Sequence, residues 1–405
     1  MKTNSCRNYG KKPTLQPNAL YPLHAGRPAL NIAIFPQGNK GGWPMTAQAR
    51  ADLRTNNNVV SRERLLGPVS RWRRHGEPTL GGSAPDIDNG VFGPGSLAWE
   101  VLLHPATIVF QSAAQFILQL TYKPVFAGVR DNDPISKKAR AGTLSLFDVF
   151  DRGQRNSGIH APMWLGDMDT ARRVSGHLIR IHEKVKGDLI DVGTPELGGY
   201  EANSPRESTW AALTEMHTML WVYERLAFRN FRLPKRLPDD MRDAYIREVK
   251  EYCRLFPHRE EDLPNSMAEL RALYERDAKL FGGTQTIKII PETGQDFLLL
   301  WHESVKKNYH PSQFRVKIQL FFQEKLLKLP AWGAVSGKTR RNSGITAEKE
   351  KRILIAKALM MPIVWLVQQG PIERYFMRMM WGPDSVKLIK EARKLHAQAK
   401  KQARQ

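Results

Sequence analysis

The chain has 405 residues, with 62 Lys and Arg against 40 Asp and Glu for a formal net charge of +22. Its 41% hydrophobic content, together with 30 glycines, excludes disorder throughout. Two cysteines, Cys6 and Cys253, exclude a disulfide framework or a cysteine-rich zinc site and point to a reducing compartment, the cytoplasm.

The first 85 residues carry 13 basic and 3 acidic side chains and are rich in Pro, Gly and Asn, which predicts an extended basic arm over residues 1–85. No uninterrupted apolar run follows the N-terminus, so a signal segment is not expected. From residue 86 to 405 the text is helical, and β-branched alternation nearly vanishes. Between Glu100 and Lys123, 22 residues have no formal charge. That length could span a bilayer, but Gln111, Ser112, Gln115 and Gln119 would be costly facing lipid, so a helix buried in a large core is expected over 105–122. A helix is predicted from 136 to 150, then a loop at Gly153, Gly158 and Pro162, then a helix from 169 to 186.

Ser204-Pro205-Arg206-Glu207 supplies an N-cap, a proline at the first helical position and a glutamate at the third, and opens a helix reaching about Ala227. Ser266 and Glu269 repeat the capping logic for a helix ending near Gly282. Thr284 to Ile290 reads as a short strand. Further helices fit 239–255, 293–308, 312–328, 346–369 and 384–403; the stretch from Ala358 to Ile372 is uncharged but only 15 residues long and interrupted by Pro362. The last 20 residues hold 7 basic and one acidic side chain, a second basic end. Basic ends attract nucleic acid or anionic lipid, or simply keep a chain solvated. No nucleic-acid-binding motif is present, so nucleic acid is not the expected partner. The fold class is all-α.

The chain lacks a phosphate-binding loop, a dinucleotide fingerprint, a nucleophile elbow and a His-Glu-x-x-His motif. What remains is the helix from Arg172 to Gly187. Val174, Leu178, Ile181 and Val185 share one face at helical spacing, with His177 and His182 each roughly 70° to either side. The two cannot chelate one metal from the same side. Each is either a packed histidine or a single imidazole offered to a flat cofactor, which is how many haem proteins hold iron.

The stretch Phe92-Gly-Pro-Gly-Ser-Leu-Ala-Trp99, the run Ile117 to Val129, Asp133-Pro134, and Arg172-Arg173-Val174 through His182 to Gly187 occur in an order that resembles the haem-dependent oxygenase family of latex-clearing protein (rubber oxygenase) and the MpaB-type oxygenases. Trp210, Thr214, Tyr223-Glu224-Arg225 and Trp365 to Gly382 continue it, so the resemblance covers roughly residues 90 to 395. It implies a single helical bundle around one haem b, with His182 as the iron ligand and Lys186, one turn on, pairing with a haem propionate. The same lysine could instead be an ordinary helix-end cation. The resemblance also implies Arg140 and Thr143 near bound dioxygen; the bland alternative is a solvated helix face. The implied substrate is lipophilic and unsaturated, isoprenoid-like, cleaved at a carbon–carbon double bond. Tyr122-Lys123 and Ala212 stand where the family commonly has histidines; His160 or His217 could replace a lost polar group, but neither is the expected substitute. These departures favour an alternative of another class, a non-catalytic helical binding protein for a lipophilic ligand or an acidic partner. Peripheral contact with a membrane is compatible with either.

Overall fold

The computed structural model describes residues 88–382 and 384–405; the basic arm expected over residues 1–85 lies outside them, and all described residues fall in one unit. Among them the fold is all-α, with one two-stranded ribbon. No described helix is long and apolar enough to cross a membrane.

The centre is a pair of long helices, α2 (Pro105–Gln119) and α7 (Pro205–Leu226), preceded by the short α1 (Leu97–Leu102). The uncharged stretch after Glu100 is a buried helix as expected: Ala106, Ile108, Phe110, Ala114 and Leu118 have almost no exposure. An uncharged helix with apolar residues on most of its sides is stable only when other helices cover it. α7 packs along it and is buried from Glu207 to Tyr223 almost without interruption. The Ser204 side chain caps α7 as the sequence predicts, accepting from Glu207 N.

α3 (Lys123–Asn132) and α4 (Pro134–Arg140) follow α2. The continuous helix expected over 136–150 is broken. Gly142 takes a left-handed backbone (φ 66°), and a new capping box opens α5 (Leu146–Leu165). In it, Ser145 Oγ accepts from Asp148 N and Asp148 Oδ2 accepts from Ser145 N at 2.9 Å. α5 then runs straight through Gly153, Gly158 and Pro162, where a loop is predicted from sequence. Its buried residues Phe150, Gln154, Ser157, Ala161 and Trp164 recur at helical spacing. Tertiary burial of that face outweighs the roughly 1 kcal/mol that each glycine costs a helix. Ser157 also lets α5 approach α2 closely, Oγ to Oγ 3.1 Å from Ser112.

α6 (Met168–His182) packs on α5 and ends four residues earlier than expected. The chain turns into β1 (Lys186–Gly187), paired antiparallel with β2 (Tyr200–Glu201). At Gly187 a Cβ would lie 2.7 Å from the Tyr200 ring, so glycine is required there. The strand expected at Thr284 to Ile290 does not form beyond one bridge, Ile289 to Asp296. Thr284 and Thr286 instead donate to the buried carboxylate of Asp191 at 2.7 and 2.6 Å.

The remaining helices enclose this core. They are α8 (Asp239–Cys253), α9 (Met267–Arg276), α10 (Phe297–Lys307), α11 (Phe314–Phe322), α12 (Leu329–Ala334), α13 (Gly337–Asn342), α14 (Ala347–Leu359), α15 (Met361–Val367), α16 (Gly370–Trp381) and α17 (Ser385–Gln402). α11 and α12 are joined by one π-helical stretch, Gln323–Lys328. α16 packs on α5 and α2, and α17 packs on α16.

Candidate functional site

Ala171, Val174 and Ser175 are buried and Leu178 partly so, and these four positions define the inward face of α6. Ile181 is about half exposed, because the helix lifts away from the core at its end. The inward stripe therefore differs from the one expected, and the difference matters for His182. Counting 100° per residue, His182 falls within about 20° of Ala171 and about 30° from the centre of these four positions, on the inward side of the helix rather than about 70° off it. His177 is partly buried and lies off that centre.

Burial, then the charges of His160 and Arg152 on α5, push the His182 imidazole below its ordinary value of 6.5. The ring is therefore neutral at pH 7, the form that ligates a metal. No described residue hydrogen-bonds either of its nitrogens. Arg152 is fixed by Asp133, Nε to Oδ2 at 2.8 Å, and Asp133 caps the start of α4. The middle of α5 and the start of α4 are thus tied together, and the charge of Arg152 is felt at His182.

Two turns further along α5 lies a second polar group. His160 Nδ1 is 2.8 Å from the Asn156 carbonyl and 3.5 Å from Glu215 Oε1 on α7, and its ring stacks on Trp164. Glu215 is fully enclosed, and burial pushes its carboxyl above the usual value despite His160 and the Tyr252 hydroxyl, which donates to Oε2 at 2.9 Å. Its Oε1 has no hydrogen bond among the described residues, and neither do Thr107 Oγ1 and Gln111 Oε1 of α2 and His217 Nε2 of α7. Buried polar atoms are normally paired, so each of these departs from the rule. Sequence reasoning missed both Arg152 and Glu215. Glu215 left a signal: it is the single Asp, Glu, Lys or Arg from Ser208 to Tyr223.

The other expected site residues are placed differently. Lys186 is not one helical turn beyond His182; it is exposed on β1 opposite Glu201, because pairing with β2 ends the helix first. Arg140 and Thr143 are exposed at the end of α4 and in the loop after it. The Arg140 guanidinium donates to the Arg130 carbonyl at 2.7 Å and faces Asp131 at 3.6 Å, while the Thr143 hydroxyl turns back to the Lys138 carbonyl. No hydrogen bond or ion pair joins any of the three to His182. His217 is buried against Trp221, and burial holds its pKa down to about 3. Tyr122 and Ala212 are both buried, and Tyr122 lies against the rings of Trp210 and Phe281. The cavity beside Trp210, lined also by Arg206, Thr209 and Leu213, holds about 10 Å³, room for a single water.

The residues present can be tested against an iron porphyrin. Among the described residues no three His, Cys, Asp or Glu side chains form a metal-holding group. A metal here would take most of its ligands from a prosthetic group, and such a group needs one axial side chain. A neutral, inward, uncommitted imidazole at the end of a helix fits that need, with Arg152 as the nearby cation. The water-sized cavity at Trp210 is not where such a group would lie.

A family model described as the catalytic domain of ER-bound oxygenase mpaB/B' and rubber oxygenase matches residues 99–336. No curated protein and no solved structure matches the chain.

Proposed function

The chain belongs to the family of MpaB-type and rubber oxygenase catalytic domains, and from that premise we propose that it is a haem b-dependent oxygenase cleaving a carbon–carbon double bond of a lipophilic, isoprenoid-like substrate in the cytoplasm. The observation that carries the cofactor is the neutral His182 ring on the inward side of α6. His182 would hold the iron, and Arg152, kept in place by Asp133, would supply positive charge beside it. When bound, the haem supplies dioxygen activation.

The chain's own residues supply the surroundings. The apolar length of α2 excludes water and offers a greasy wall, with small residues Ser112, Ala113 and Ala114 allowing close approach. Glu215, whose carboxyl burial pushes above its ordinary value, lies 3.5 Å from His160 and adds a polar group to the wall where α7 meets α5. Arg140, Thr143 and Lys186 are carried into this proposal on the family resemblance alone.

The test is the absorption spectrum of protein produced with a haem precursor, with a pyridine haemochrome assay. A strong Soret band with near-stoichiometric haem b is expected, lost in His182→Ala while the helical circular dichroism stays. Full haem in that variant would assign the iron to another residue. A colourless wild-type protein that also refuses added haemin would leave the helical binding protein as the better reading.

A further inference from the structure

α14 and α15 are joined at Met360, whose backbone stays helical, so the two run on as a nearly continuous rod. Its inner side is set by Ile353, Val364 and Val367, which are buried, and by Lys357, whose stem fills the space above Gly333 of α12. The outer side should then be polar, as on any surface helix. It is not. Leu354, Ile355, Leu359, Ile363, Trp365 and Leu366 are all exposed, Leu359 by 76% and Ile355 by 51%. At 100° per residue these six fall within about half a turn of the wheel, opposite the buried residues. A contiguous apolar row of this kind marks an interaction surface.

Charge selects the occupant. Lys351 is exposed at the start of the row, where Arg352 pairs with Glu348. Beyond the row's end, Arg374, Tyr375 and Arg378 of α16 and Lys390 of α17 line a groove of about 480 Å³. None of these three cations forms an ion pair with a described residue. A second copy docking through the same face would bring like charges together. The N-terminal 85 residues carry a net excess of ten basic side chains and would be repelled in the same way. An anionic bilayer satisfies both features: acyl chains take the leucines, headgroup phosphates take the arginines, and a tryptophan sits at the boundary.

We propose that the outward row of α14–α15, with the cationic groove of α16 and α17 that follows it in the chain, is a docking face for an anionic membrane surface. The proposal does not depend on haem or on the oxygenase reading.

The experiment is co-sedimentation of the full chain with phosphatidylcholine vesicles, with and without phosphatidylglycerol, across a salt series. Binding is expected to anionic vesicles and to weaken with salt. Leu359→Asp combined with Leu366→Asp should lower the partition coefficient by about tenfold or more per leucine. Arg374→Gln, Arg378→Gln and Lys390→Gln together should lower it by about fivefold per charge and flatten the salt dependence. Both sets of positions are at the surface, and an unchanged circular dichroism melt verifies the fold. Quenching of Trp365 by brominated lipid, read as the difference from Trp365→Phe, gives an independent signal. No binding, or binding that survives Leu359→Asp with Leu366→Asp, overturns the proposal. So does a concentration-dependent dimer in light scattering that this pair disperses, since a second copy would then cover the row.

Discussion

Glu215 shows how a single enclosed carboxyl can make a fold's stability depend on pH. Its carboxyl is fully enclosed, one oxygen is unpaired, and burial raises its pKa above the ordinary 4.5 in the folded state. The folded protein therefore binds this proton more tightly than the unfolded chain does. By linkage, the residue's contribution to stability is most favourable below about pH 4.5 and declines as pH rises through the folded value. Glu215→Gln cannot ionise and escapes the decline. The variant should melt close to wild type at about pH 4 and be the more stable of the two at about pH 8, the gap growing as pH rises through the folded value. Melting curves across that range check it; a difference that does not grow with pH would mean the carboxylate is ionised in place. The histidines behave differently. His217 and His104 are held down to about 3 and about 4 by burial, so neither changes charge near neutrality.

Helix starts are written in local chemistry. Ser204, Ser266 and Ser145 each accept a hydrogen bond from the third residue of their helix. Ser145 is the most consequential, because its capping box separates α4 from α5 and so decides where Arg152 and His160 stand. Ser145→Ala should cost about 1 kcal/mol, seen as a lower urea midpoint with an unchanged slope. A loss near zero would show that Asp148 and the packing of Leu144 and Phe147 suffice to start α5. The two serines at 204 and 266 are legible because each is followed by a glutamate at the right spacing. Ser145 is followed by Asp148 in the same place, but the glycines downstream point to a loop and hide the signal. The end of α6 is illegible for another reason: Gly187 must meet Tyr200, a partner thirteen residues on, and no local periodicity encodes that pairing. Which face of α6 is buried depends likewise on α5 packing against it. His182 is therefore a candidate through its motif, while its position on the inward stripe is not readable from the sequence. Arg152, reached only through Asp133 on another helix, leaves no sequence signal.

At the scale of the molecule, the family match ends at residue 336, yet the core does not. Met377, Trp381, Ile389 and Ala392 of α16 and α17 are buried with residues from α1, α2 and α5. The last helix is tied back to the first by polar contacts. The Arg393 guanidinium donates to the Leu103 carbonyl and pairs with Glu373, and Glu100 is gripped by Lys400 and by the Tyr223 hydroxyl at 2.8 Å. The nearby His396 ring, then Lys400 and Tyr223, hold the Glu100 carboxyl far below its ordinary value of 4.5, against the opposing pull of burial. Because the folded value is depressed, this clasp stabilises the protein fully above about pH 4.5 and is lost as pH falls through the folded value. Glu100 is partly exposed, and solvent screening limits the effect to about 1 kcal/mol. Glu100→Gln should therefore lower the melting temperature by a few degrees at neutral pH, and the gap should close in acid. Hydrogen exchange adds a readout that a general loss of stability would not give. The amides of 385–402 should exchange faster in the variant while those of α2 and α7 keep their protection. Equal acceleration in all three helices would mean that α17 opens only with the whole fold and that Glu100 is no separate clasp.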